Sequence, residues 1–246
     1  MSSEQAELTR RTRRAAEQPQ HERRWLVVTV VGVLLAVGLV VGGPWFYAHF
    51  LVREAPDPLM LTTPEVVRTV PQGPVDIDGA WEIQPGSEAG YRLGEVLYDT
   101  EVTVVGRTES VAGVVVISDG VLVEARVVVD VGSITTDESA RDAFFRRALD
   151  TTTHPEAVFE LTEPVDVSPI GLADQPLAVH GVGTLTLHGV TRPATATLEV
   201  QRTVEGVEVL ATIDLILADF DLIAPDLGWV VVEPAGTVEA LLQLAR

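Results

Sequence analysis

From residue 75 onward the apolar residues recur at every second position. In Val121 to Asp130, Val121, Val123, Ala125, Val127 and Val129 share one face, and Glu124, Arg126 and Asp130 share the other. Leu177 to Leu187 sets Val179, Gly181, Gly183, Leu185 and Leu187 against His180, Thr184 and Thr186. Pro193 to Val200 and Val209 to Leu217 repeat the device through Ala194, Ala196, Leu198 and Val200, and through Val209, Ala211, Ile213, Leu215 and Leu217. Turn signals such as Asp119-Gly120 and Glu205-Gly206 punctuate these runs, so the pattern predicts antiparallel meanders. Gly106-Arg107-Thr108 reads as one more turn.

Only one segment of this region carries a helical period. Thr136 to Ser139 offers a capping residue with acids in the first turn. Ala140, Ala143, Phe144 and Ala148 follow at helical spacing, with Arg146 and Arg147 near the end where the dipole favours cations. A mainly antiparallel set of about eight strands with one helix closes as a barrel or packs as a sandwich. Small residues on the inward faces, such as Ala125, Ala194, Ala196 and Ala211, favour a barrel with space inside.

Upstream the pattern changes completely. Trp25 to Gly43 is 19 residues with Thr29 as its one polar side chain. As a helix it extends about 28 Å, enough to cross a bilayer core. Trp25 stands at one end and Trp45, Phe46 and Tyr47 at the other, where aromatic rings favour the headgroup level. The run is longer than a cleavable signal core and ends in Gly-Gly-Pro-Trp rather than in a small-residue cleavage site, so retention as an anchor is expected. Between the span and residue 75, Pro56, Pro58, Pro64, Pro71 and Pro74 are too dense for a helix or inner strand and predict an extended tether. The expected organisation is a cytoplasmic tail over 1–24, a transmembrane helix over 25–47, a Pro-rich tether over 48–74 and a β domain over 75–246.

Charge gives this organisation a direction. The chain has 17 basic residues, all Arg, against 36 Asp plus Glu. Residues 1–24 hold six Arg and four Glu, net +2, whereas residues 53–246 hold 11 Arg and 32 acids, net −21. Arginine before the span predicts an N-terminus in the cytoplasm and a β domain outside. So acidic a domain repels phosphate backbones, which excludes nucleic acid as a partner. The absence of cysteine removes disulfides, thiol catalysis, Cys metal sites and a lipidated Cys.

Candidate catalytic chemistry is sparse. His154, His180 and His188 form no HxH or HxxxH pair. Asp76-Ile77-Asp78 and Asp219-Phe220-Asp221 lack a regular ligand series, and no GxSxG, P-loop or GxGxxG occurs. No cofactor, metal or enzymatic activity is expected.

The order of motifs carries more. Tyr91 to Gly113, then Val129 to Leu161 with Ser133-Ile134-Thr135-Thr136, Arg141-Asp142, Phe144-Phe145, Pro155 and Phe159, then Leu185 to Pro193 (LTLHGVTRP), and finally GTVEALLQLAR, resemble the YceI-like family of lipocalin-like, polyisoprenoid-binding bacterial envelope proteins. The likeness covers residues 79 to 246. It implies an extended eight-stranded antiparallel barrel with one short helix, whose apolar lumen takes an isoprenoid tail such as that of a quinone or polyprenyl phosphate. The lumen-facing set is then Val123, Ala125, Val127, Phe159, Leu185, Leu187, Ala196, Leu198, Ala211, Ile213 and Leu215, with Phe144 and Phe145 at the mouth. Two departures stand out: Asp221 is a second acid where many relatives have Gly, and most relatives are secreted free rather than tethered. The expected function is an extracytoplasmic protein, tethered by one span to the cytoplasmic membrane of a bacterium, that sequesters or carries such a lipid, with a homodimer as an open expectation. The alternative is a structural or protein-interaction barrel with a filled core.

Overall fold

The computed structural model describes residues 55–62, 75–171 and 175–246. The expected tail and transmembrane helix lie outside the described residues, as do 48–54 and 63–74 of the expected tether.

The alternating segments become strands β1 (Gly79–Ile83), β2 (Glu88–Leu97), β3 (Thr100–Thr108), β4 (Val111–Ser118), β5 (Val121–Asp130), β6 (Glu156–Leu161), β7 (Val165–Asp166), β8 (Leu177–Leu187), β9 (Val190–Arg202), β10 (Val207–Ile216) and β11 (Val230–Ala245), with a helix α1 (Ser139–Ala148) between β5 and β6. All pairings are antiparallel. The order runs β1-β4-β5-β6-β8-β9-β10-β11, and β11 returns to β1 through Glu82–Ala245 and Ile83–Leu244. β2 continues β1 along β11, and β3 pairs with β2 where β4 pairs with β1. β1 with β2 serves as one wall strand and β3 with β4 as the next, so the wall is a closed eight-stranded barrel. Closure satisfies the edges that an open sheet would leave unpaired. At the β1–β2 break, Ser87 stands in for the missing ladder: its hydroxyl donates to the Gln84 carbonyl and accepts from the Gln243 amide.

Hairpin chemistry sets the register. Tyr98-Asp99, Asp119-Gly120 and His188-Gly189 all have positive φ and form two-residue turns whose twist matches that of the flanking strands. The His-Gly of LTLHGVTRP is therefore a turn. Gly106-Arg107-Thr108, expected as a turn, belongs to β3. A Cβ at Gly106 would lie 2.5 Å from the Tyr91 ring, so this glycine makes room for a large inward side chain.

Two apolar clusters close the barrel at its ends. At the helix end, Tyr91, Val131, Ile134, Leu149, Leu187, Leu217 and Phe220 are buried together. At the end that holds residues 75 and 246, Ile77, Trp81, Val167, Ile170, Leu242 and Leu244 pack together, with the Trp81 indole donating to the Ile77 carbonyl at 2.9 Å.

The helix faces the other way from the one its apolar spacing suggests. Ala140, Ala143, Phe144 and Ala148 are exposed, while Asp142 and Leu149 are buried and Phe145 is half-buried. The cause is local. Asp142 accepts from the Thr136 amide at 2.8 Å and the Thr136 hydroxyl at 2.7 Å, which turns that face toward the barrel. Phe145 then stacks on Tyr91 with centroids 4.8 Å apart.

Candidate ligand-binding cavity

Between the two end clusters the barrel is hollow. The lumen has an empty volume of about 1180 Å³, counting the part open to solvent. Every lining residue is Val, Ile, Leu, Ala or Phe. The inward side chains at mid-barrel, Ala125, Val127, Val209 and Ala211, are only half-buried, as side chains facing a void must be. Ala at two of these positions, Ala125 and Ala211, shortens the wall where a larger residue would fill it. Gly183 acts differently: a Cβ there would meet the Glu160 carbonyl and the Phe159 ring, so its missing side chain seats Phe159 against the wall.

Of the lumen set expected from sequence, Ala125, Val127, Phe159, Leu185, Ala196, Leu198, Ala211 and Ile213 line this cavity. Leu187 and Leu215 face inward but are consumed by the cluster at the helix end, which Phe145 packs against. Phe144 points outward, 48% exposed. Val123 does not line the lumen. β5 bulges opposite β4, where Val116 pairs with Glu124 but Ile117 pairs with Leu122. The extra residue restores Leu122 to the interior and leaves Val123 46% exposed. Sequence reasoning missed the C-terminal strand, whose Val238, Ala240, Leu242 and Leu244 all line the cavity. Their period of two, on the inward side of GTVEALLQLAR, was the available signal.

Ionisable groups are kept out of the lumen but not off its rim. Glu95 lies on the same face of β2 as Tyr91 and is buried. Burial pushes its carboxyl above the usual range, Arg141 opposes that, and Asp137 adds to it. Burial likewise pushes the Tyr91 phenol up. His154 and His188 meet edge-on with centroids 5.6 Å apart, and His188 Nδ1 lies 3.1 Å from the Phe220 carbonyl. Among the described residues no group of three or more His, Asp or Glu is placed to hold a metal ion.

The outer wall has a site that alternation alone would call surface. Residues 55–62, inside the segment expected to be a free tether, lie across β2, β3, β9, β10 and β11. Glu208 is almost wholly buried and accepts four hydrogen bonds: from the Thr62 amide and hydroxyl, each at 2.8 Å, from Gln243 at 2.7 Å, and from Gln201. Burial raises its carboxyl, but those donors outweigh it and hold the group below the usual carboxylate range. Further along, Glu239 accepts from the Leu59 amide and pairs with Arg107 at 3.0 Å, while Arg107 and Arg92 donate to the Asp57 and Pro56 carbonyls. Leu59 is buried.

Comparison with known proteins agrees with this architecture. Among solved structures, a polyisoprenoid binding domain from Saccharophagus degradans, implicated in plant cell wall breakdown, superposes with a TM-score of 0.53 at 24% identity. That alignment covers 67% of this chain and 97% of the other. BcnA of Burkholderia cenocepacia superposes with a TM-score of 0.52 at 14% identity, covering 67% of this chain and 99% of that one. At such identities the likeness establishes the fold. No curated protein sequence matches the chain. Residues 81–244 match the YceI-like domain, two thirds of the sequence and nearly the whole barrel, and the chain belongs to that family.

Proposed function

We propose that the barrel binds the tail of a polyisoprenoid lipid in its lumen, and that the chain holds this barrel on the outer side of a cytoplasmic membrane. The observation that carries the reading is a long void with a wholly apolar lining, inside a wall that could have been filled by larger side chains. Moving an alkyl chain from water into such a lining is worth about 0.8 kcal/mol per CH₂. The polyisoprenoid binding named for the Saccharophagus domain supports the same ligand class. Tethering and outward location rest on the apolar span Trp25 to Tyr47 and the arginines before it. The role is sequestration or carriage, since the described residues that line the lumen are all apolar.

Organic extraction of the purified protein followed by mass spectrometry tests this directly. A polyprenyl lipid should be recovered, or an added isoprenoid quinone taken up at about one per chain. Ala211→Phe and Ala125→Phe should abolish uptake while the protein still unfolds cooperatively within a few degrees of the parent, because the new ring enters existing space. Repeated recovery of no lipid with no uptake, or a collapse of folding in both variants, overturns the reading in favour of a filled structural core.

A further inference from the structure

Ile223, the most exposed large apolar side chain among the described residues, lies with two others at the helix end of the barrel. Ile223 is 91% exposed, Leu227 59% and Trp229 50%, all in the loop between β10 and β11. That loop is held rather than loose. Leu222 and Ala224 pack against the end cluster, the Val232 amide donates to the Pro225 carbonyl, the Leu227 amide donates to the Val230 carbonyl, and Trp229 stacks on Tyr98 of the β2–β3 turn. Its backbone geometry therefore keeps these side chains pointed away from the core. On the same end, α1 exposes Phe144 together with Ala140 and Ala143, the face its apolar spacing would have buried. Exposed apolar side chains concentrated at one end of a fold mark an interaction site.

We infer that this end of the barrel docks on the lipid bilayer, with the Ile223–Trp229 loop in the headgroup region and the Phe144 face of α1 beside it. Aliphatic tips with a Trp at their base suit the amphipathic boundary of a membrane. Chain length allows the same surface. From Tyr47, the last aromatic of the expected span, to Pro56 the chain reaches at most about 30 Å. Pro56 is held on the outer wall at Arg92. Five residues of β2 separate Arg92 from Leu97 at the helix end, about 17 Å, against about 27 Å along β11 from Thr237, opposite Arg92, to Ala245 at the other end. A leash of this length keeps either end of the barrel within reach of the bilayer, and the exposed apolar side chains select the helix end. Asp219 and Asp221 precede the loop and Asp226 lies within it, all exposed, so the surface it fits is zwitterionic lipid rather than an anionic patch. This inference rests on the membrane-anchored part of the proposed function and is independent of what fills the lumen.

The cysteine-free sequence makes the test clean. Full-length chain carrying Ile223→Cys, or Val204→Cys at the opposite end, is labelled with an environment-sensitive fluorophore and reconstituted into phosphatidylcholine vesicles containing a bromolipid quencher. Both positions are exposed, so neither label disturbs the core. The expected result is blue-shifted, quenched emission at 223 and unquenched emission at 204. Replacing Leu227 and Trp229 by Ser should remove quenching of a label at Phe144→Cys. Equal quenching at 223 and 204 in vesicles that carry the chain overturns the docking while leaving the anchor intact. A chain that does not float with the vesicles overturns both. Quenching that appears only when phosphatidylglycerol is added overturns the assignment to a zwitterionic surface.

Discussion

Glu208 and Val209 are neighbours on one strand and face opposite sides of the same wall. Val209 is apolar, points into the barrel and is half-buried because nothing fills the space before it. Glu208 is charged, points away from the lumen and is 1% exposed, because residues 55–62 cover it. The usual equation of inward with buried and outward with solvated is inverted along β10. A barrel that keeps a void inside loses packing there. Part of the ordering of this barrel comes instead from a polar network on its outer surface, built with a piece of chain that precedes the domain.

The comparison is broken most severely at Glu208. Glu208→Ala leaves the Thr62 amide, Gln201 and Gln243 without their acceptor, and should cost about 3 kcal/mol. For a domain of this size that lowers Tm by roughly 10 °C, and limited proteolysis should then cut near Met60, which is exposed on the covering segment. An unchanged Tm would mean that the outer wall contributes nothing. Leu59→Ala tests the apolar part of the same contact and should cost about 2 kcal/mol, at the low end for a buried leucine because the site lies at a margin.

Acidity separates the wall from the rim, because Glu208 and Glu95 are shifted in opposite senses. Glu208 has a depressed folded pKa. Its contribution is complete above the ordinary carboxylate range and is lost as pH falls through the depressed value. Glu95 has a raised folded pKa, so its burial is favourable when protonated and becomes a cost as pH climbs from the carboxylate range through the raised value. Thermal unfolding across pH should therefore show Glu208→Gln destabilised at neutral pH and converging on the parent in acid. Glu95→Gln should match the parent in acid and gain stability toward neutrality. The same sign of change in both variants would refute this division.

Much of the inner wall was legible in the sequence and almost none of the outer site was. Along β8, β9 and β10 strict alternation identified the lumen residues, because a period of two assigns each side chain to a face and uninterrupted pairing preserves it. The family motifs identified a closed barrel that alternation alone left open. Val123 was misassigned because a single bulge slips the register by one, and nothing in VLVEARVVVD marks where an extra residue is absorbed. The apolar spacing of the helix did not give its inward face, because Asp142, a polar residue, is held toward the barrel beside Phe145 by its bonds to Thr136. Glu208 could not be recognised as buried, since its partners, Thr62, Gln201 and Gln243, come from three separate stretches of chain. Asp221 was noticed only as a departure from relatives with Gly. It adopts a left-handed conformation, φ 57°, where glycine is the least strained residue.

The smallest effect is the sharpest test of the hollow interior. Val209→Ala removes two methyl groups next to Glu208, but from a side chain that already borders the void. No new cavity is created against packed neighbours, so only the contacts on its wall side are lost. The expected cost is about 1 kcal/mol or less, below the usual penalty for truncating a packed core residue. Saturating the protein with an isoprenoid ligand should enlarge that cost, since the ligand supplies the missing partner atoms on the lumen side. A loss near 3 kcal/mol in the ligand-free protein would show Val209 to be packed, and would erase the contrast between the two faces of β10.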